Sequence, residues 1–271
     1  MMRSLWTAAS GMIAQQTNVD SISNNLANVN TTGYKTQRTE FKSLLYQNLQ
    51  TRTTTANGEE KPVPAQVGLG TRVAATNTIY TQGALQASEN VTDFAIDGSG
   101  FFSVRGEDGN IYYTRNGSFT WAVGVNGTTL CNSNGYPVLD SQGNEIIVPN
   151  GVTSESMMIS SDGTIGYKAQ DGNYIPLNQT IGLYQFTNPA GLEKMSNSLL
   201  AETAASGPAM NEALQANLTR SNVYQGYLEG SNVQVADEMV NLIIAQRAYE
   251  LNSKAIQASD DMLQQANQLR R

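Results

Sequence analysis

The chain has 271 residues, with 16 Lys and Arg against 23 Asp and Glu, one cysteine and no histidine. The missing imidazole excludes a Ser-His-Asp triad, a Cys-His pair and any histidine metal site, and Cys131 alone closes no internal disulfide or thiolate zinc cluster. A formal charge of −7 argues against wide contact with a phosphate backbone, and only 14 % of residues are charged, so the polar surface is mostly neutral and suits a large contact area.

Residues 1–30 lack proline and hold one glycine, Gly11. Leu5, Ala8, Met12, Gln15, Val19, Ile22, Leu26 and Val29 recur at alternating steps of three and four. That a/d pattern predicts a helix with a narrow coiled-coil seam. Asn30-Thr31-Thr32-Gly33 ends it, with Gly33 suited to a left-handed cap. The opening Met1–Trp6 leads into no apolar core of signal-peptide length, so no cleaved secretory signal is expected. No apolar run approaches a membrane span.

Tyr34–Leu49 reads as partly extended and partly helical. Thr51–Gly70 has no periodicity and reads as an extended or mobile loop. The middle of the chain then turns to β patterning. Asp108-Gly109, Asn116-Gly117, Asn126-Gly127, Asn134-Gly135, Gln142-Gly143, Asn150-Gly151, Asp162-Gly163 and Asp171-Gly172 supply turns at hairpin spacing. Strand-like runs lie between them, at Phe101–Val104, Ile111–Thr114, Ser118–Val123, Glu145–Val148 and Ile181–Phe186. Residues 206–232 lead back through Ser206-Gly207-Pro208 to a last segment, Ser231–Arg271, that has neither Pro nor Gly. There Val235, Leu242, Tyr249, Ile256 and Leu263 repeat at heptad spacing, Met239 adds to the stripe, and Ala245, Ser259 and Ala266 are small flanking positions.

The expected fold class is α+β: paired terminal coiled-coil helices with an inserted central all-β domain and extended connecting segments. The expected domains are 1–33 with 233–271, 34–83 with 206–232, and 84–205. Neither helix has an apolar face wide enough to stand alone in water, so each needs a partner.

Candidate sites mostly resolve into turns. Asp93, Asp97, Glu107 and Asp108 offer paired carboxylates of the kind a glycosidase uses, yet Asp97 and Asp108 each precede a turn glycine. Asp140–Glu145 lacks the twelve-residue spacing of a calcium loop. Gly68-Leu69-Gly70 lacks the rest of a dinucleotide fingerprint. Arg247 stands beside the seam with Glu250 or Asp237 as a carboxylate partner. No catalytic residue, cofactor site or metal site is expected.

Three stretches carry a family resemblance. Ser21–Lys35 contains Asn25-Leu26-Ala27-Asn28 followed by Gly33-Tyr34-Lys35. Asp93–Val104 is followed by Tyr113-Thr-Arg-Asn-Gly-Ser-Phe119. Gly230–Val240 is followed by Gln246–Ile256 and Asp261-Met-Leu263. In this order they resemble the bacterial flagellar rod and hook proteins. Phe41–Tyr46, Gly68–Arg72 and Gln246–Glu250 are most similar to the distal rod subfamily. Proximal rod and hook-type proteins of the same family are the near alternative. A β-domain enzyme or adhesin acting on extracellular polysaccharide is the distant one.

The resemblance implies a structural, self-assembling subunit of a rigid drive shaft. It implies export through the flagellar channel without a cleaved signal and a place in the basal body outside the cytoplasmic membrane. The partners it implies are copies of the chain in a helical tube, proximal rod proteins, hook protein, surrounding ring proteins and the export apparatus. Neither nucleic acid nor a small-molecule substrate is expected. The expected assembly interface is Leu5, Met12, Val19, Ile22, Leu26, Val29, Val235, Met239, Leu242, Tyr249, Ile256 and Leu263.

Overall fold

The structure is a computed structural model and describes residues 2–50, 65–124, 127–149, 156–168, 174–215 and 217–269. Two helices end the chain, α1 (Met2–Ala27) and α2 (Val235–Gln268), and the described residues between them form strands and a short 3-10 turn at Pro189–Gly191. At about 1.5 Å per residue they are about 39 and 51 Å long. Contacts divide the chain into two compact units.

The first unit combines residues 1–27, 37–78 and 234–271. Besides the helices it holds β1 (Gln37–Ser43), β2 (Tyr46–Gln50), β3 (Ala65–Gly68) and β4 (Thr71–Thr78). β1 pairs antiparallel with β4 across a bulge at Glu40/Phe41, and β2 pairs with β3. Tyr34–Leu49, expected to be partly helical, contains no helix. Gln37 to Ser43 is committed to the β4 ladder, and such pairing overrides a weak local helical pattern. Of the expected loop Thr51–Gly70, residues 65–68 are strand, and 51–64 lie outside the described residues.

The second unit combines residues 28–36 and 79–233 and is all β. Its strands are β5 (Leu85–Ala87), β6 (Phe94–Asp97), β7 (Phe101–Arg105), β8 (Ile111–Thr114), β9 (Phe119–Val123), β10 (Thr128–Asn132), β11 (Ile147–Val148), β12 (Met157–Ile159) and β13 (Thr164–Lys168). They continue with β14 (Tyr174–Thr180), β15 (Leu183–Gln185), β16 (Glu193–Lys194), β17 (Leu200–Ala201), β18 (Met210–Asn211), β19 (Asn222–Gln225) and β20 (Tyr227–Glu229). The largest sheet runs β16-β17-β8-β7-β15-β18, and smaller ones run β11-β10-β9, β12-β13-β14, β19-β6 and β20-β5.

β7 organises the core because both of its faces are covered. Phe102 points into a cluster with Phe94, Phe119, Leu130, Ile146 and Ile165, and its ring meets Phe119 edge-on at 5.2 Å. Phe101, one residue earlier and therefore on the other face, joins Tyr113, Phe186, Leu192 and Leu200. Most of the turn glycines behave as the sequence suggests: Gly109, Gly135, Gly143 and Gly163 have φ between +77° and +84°. Gly117 serves differently, since a Cβ there would strike the Phe94 carbonyl. Asn126, Asn150-Gly151 and Asp171-Gly172 lie outside the described residues.

Candidate assembly surface

The two helices lie antiparallel in a constant register. Ser4 Oγ is 3.3 Å from Ser259 Oγ, a Cβ on Gly11 would come within 2.9 Å of Asn252 Nδ2, and Asn25 Nδ2 donates to Glu238 Oε2 at 3.4 Å. Seven residues separate Ser4 from Gly11 and Ser259 from Asn252. Fourteen separate Gly11 from Asn25 and Asn252 from Glu238. A step along α1 is thus matched by an equal step back along α2, and the three contacts recur at multiples of seven residues. By the same count Ala245 opposes Asn18, and Ala245 and Ser259 are the buried residues of α2.

The closest layers therefore consist of small and polar side chains, and the large stripe residues flank them. On α1, Ile22 is buried, while Leu5, Met12, Val19 and Leu26 are half-buried. On α2, Leu242 and Ile256 are half-buried, while Val235, Met239, Tyr249 and Leu263 are exposed. Val29 falls past the end of α1 and is half-buried in the second unit. Arg247 pairs with Glu250 at 2.8 Å, with both side chains exposed.

Asn25 stitches three elements of the first unit together. It is 1 % exposed, its Oδ1 accepts from the Gln37 N–H at 2.9 Å, and its Nδ2 donates to the Gln37 carbonyl at 2.8 Å. The same amide reaches Glu238 on α2. Ser10 adds a second tie, because its Oγ accepts from the Thr71 N–H at the start of β4. Leu26 and Ala27 close the helix.

The rest of the motif belongs to the second unit. Thr31 donates from N and Oγ1 to the Asn28 carbonyl and Oδ1. Gly33 has φ +69° and donates its N–H to the Glu229 carbonyl at 2.8 Å, and a Cβ there would sit 2.6 Å from the Arg115 carbonyl carbon. Only glycine suits both that φ and that approach. The Tyr34 ring lies under Lys194 Nζ, 5.8 Å from the centroid. Lys35, only 4 % exposed, donates to Glu229 Oε1 at 2.5 Å and to the Thr81 carbonyl at 2.8 Å. Glu229 Oε2 takes Arg115 Nη1 at 3.2 Å, and Oε1 also takes the Gly83 N–H at 2.9 Å. Burial holds the Lys35 ammonium below its ordinary range, and Glu229 opposes that shift. Asn232 Oδ1 accepts from Thr36 N and Oγ1, while Thr32 Oγ1 donates to Asn116 Oδ1.

Sequence reasoning gave no role to Glu229, Arg115, Asn116 or Asn232. The available signal was that Arg115, Asn116 and Asn232 fall inside the second and third resemblance stretches. Those stretches meet the first at this cluster. Of the carboxylates offered as an acid pair, Asp108 accepts from Asn110 and Tyr112. In the Asp140–Glu145 stretch, Asp140 Oδ1 accepts from the Gln142 and Asn144 N–H groups. Cys131 is a buried residue of β10 whose thiol is pushed up by burial and by the neighbouring Glu145.

Comparison with known proteins finds three family models along the chain. "Flagella basal body rod protein" matches residues 5–35, "Flagellar hook protein FlgE/F/G D1 domain" residues 95–167, and "Flagellar basal body rod FlgEFG protein C-terminal" residues 224–269. The flagellar basal-body rod protein FlgG of Borreliella burgdorferi is 46 % identical over the whole of both chains. The protein of that name from Buchnera aphidicola of Acyrthosiphon pisum is 43 % identical over 99 % of this chain and all of its own. That from Bacillus subtilis is 36 % identical over the whole of both.

Proposed function

The chain belongs to the flagellar basal-body rod protein family, and on that premise we propose how its ends build the rod. It is a structural subunit of the distal rod and not an enzyme. The reading of the assembly surface rests on one observation. Among the described residues, the buried apolar side chains of the first unit are Ala8, Ala14, Ile22 and Ala245. Trp6 (73 %), Ile244 (61 %) and Leu251 (66 %) stand mostly in water.

A unit with so small a core and so much exposed apolar surface is incomplete as a single copy. Val240, Ile244 and Leu251 follow at helical spacing on one side of α2, about 100–140° round from Ala245, which faces α1. Trp6 and Ile13 stand seven residues apart on α1 and are likewise exposed. These outer stripes take the helices of neighbouring copies, while the Leu242, Ala245 and Ile256 stripe holds α1. Burying each large side chain contributes about 1.5–3 kcal/mol.

In this reading α1 and α2 supercoil as a coiled coil, as the seven-residue recurrence of their contacts favours. The terminal helices of many copies line a helical tube. The helical, connecting and β portions supply successive parts of each subunit. The protein sits in the basal body; among the described residues no helix is long and apolar enough to cross a membrane. Export without a cleaved signal, and contact with proximal rod, hook and ring proteins, complete the proposal. Ile244→Asp tests it: sedimentable polymer should be lost while the helix content of the single chain persists. Polymer formed as readily as by the unaltered chain would overturn the outer-stripe reading.

A further inference from the structure

Two cations converge on one carboxylate in the interior of the second unit. Lys35, Arg115 and Glu229 all have side chains exposed by 3 % or less. Glu229 lies at the end of β20, Lys35 in the segment that follows the α1 helix, and Arg115 just after β8 in the β body. The carboxylate also accepts the Gly83 N–H, and Lys35 also reaches the Thr81 carbonyl, so the segment before β5 is held too. Buried ion clusters of this kind seldom add much net stability over apolar packing, but removal of one partner leaves uncompensated charge. Here the directional bonds run from Lys35 and from Arg115 Nη1 to the two carboxylate oxygens, while Arg115 Nε is buried without a partner.

We propose that Glu229 is a charge clamp that fastens segments 28–36, 79–87 and 227–233 to the β body, so that these segments stay ordered on it whether or not the helices are paired. The inference is independent of the assembly reading, because every residue in it belongs to one unit.

Hydrogen exchange on the full chain tests it, comparing the unaltered protein with Glu229→Gln and Lys35→Gln. Glu229→Gln keeps the shape and removes the charge. Amides of 28–36 and of Gly83 should then exchange about tenfold faster or more, with β7 still protected. Lys35→Gln leaves Arg115 paired with Glu229, so it should free 28–36 while β7 keeps its protection. It decides the matter if Glu229→Gln fails to fold. Tryptic cleavage after Lys35, blocked by burial in the unaltered chain, should appear in Glu229→Gln. Unchanged protection of 28–36 in Lys35→Gln, or loss of β7 protection along with it, would overturn the clamp.

Discussion

Tyr80 meets Phe101 edge-on with ring centroids 5.5 Å apart, and burial pushes its phenol up to about 12. Tyr113 is raised in the same sense, again chiefly by burial. A raised phenol favours the folded state fully below the unfolded value of about 10, and that contribution is lost as pH climbs from there toward the folded value. The reason is that the unfolded chain releases the proton first. Lys35 works the other way, since its lowered folded value makes the folded state gain relative to the unfolded one as pH rises toward 10.5. Tyr80→Phe separates the two, because Lys35 is common to both proteins. Between about pH 9 and about pH 11 the unaltered chain should lose more stability in urea than the variant does. Equal losses would show that the Tyr80 phenol is not held neutral by burial. At this scale Gly33 was legible from its place after the helix, and so were the turn aspartates. The pairing of Lys35 with Glu229 was not, because 194 residues separate them and neither flanking sequence marks the partner.

Helix periodicity survives the reading of a sequence because it is local. The stripes from Leu5 to Val29 and from Val235 to Leu263 identified both helices, although α1 ends at Ala27 and leaves Val29 outside it; α2 starts at Val235. Which face would lie closest was harder to see. The stripe of large residues drew attention, whereas the helices approach through Ser4, Gly11, Ala245 and Ser259, where little side chain intervenes. Strands such as β7 and β8 were equally legible from alternation and turns, but their sheet order was not. β8 pairs with β17 and β7 with β15, across distances that no local pattern encodes. The close layer makes a definite demand: Ala245→Leu would force extra methylenes into a site that is 1 % exposed. Overpacking there should cost about 1–3 kcal/mol. The helical signal in circular dichroism should melt at a lower temperature, and an unchanged melt would contradict the register described.

At the level of the whole molecule, the two units differ in how far each is finished. The β unit has two aromatic clusters and a central strand covered on both faces. The helical unit keeps Trp6, Ile13, Ile244 and Leu251 in water. In the proposed reading, that contrast is between a β unit with a finished core and a helical unit that neighbouring copies complete. The most direct test is electron microscopy of the concentrated full chain beside a chain lacking residues 1–27 and 234–271, which leaves Lys35 and its clamp in place. The account predicts straight tubes from the full chain and none from the shortened one. Tubes from both, or separate monomers from both, would contradict the claim that the helical ends drive assembly.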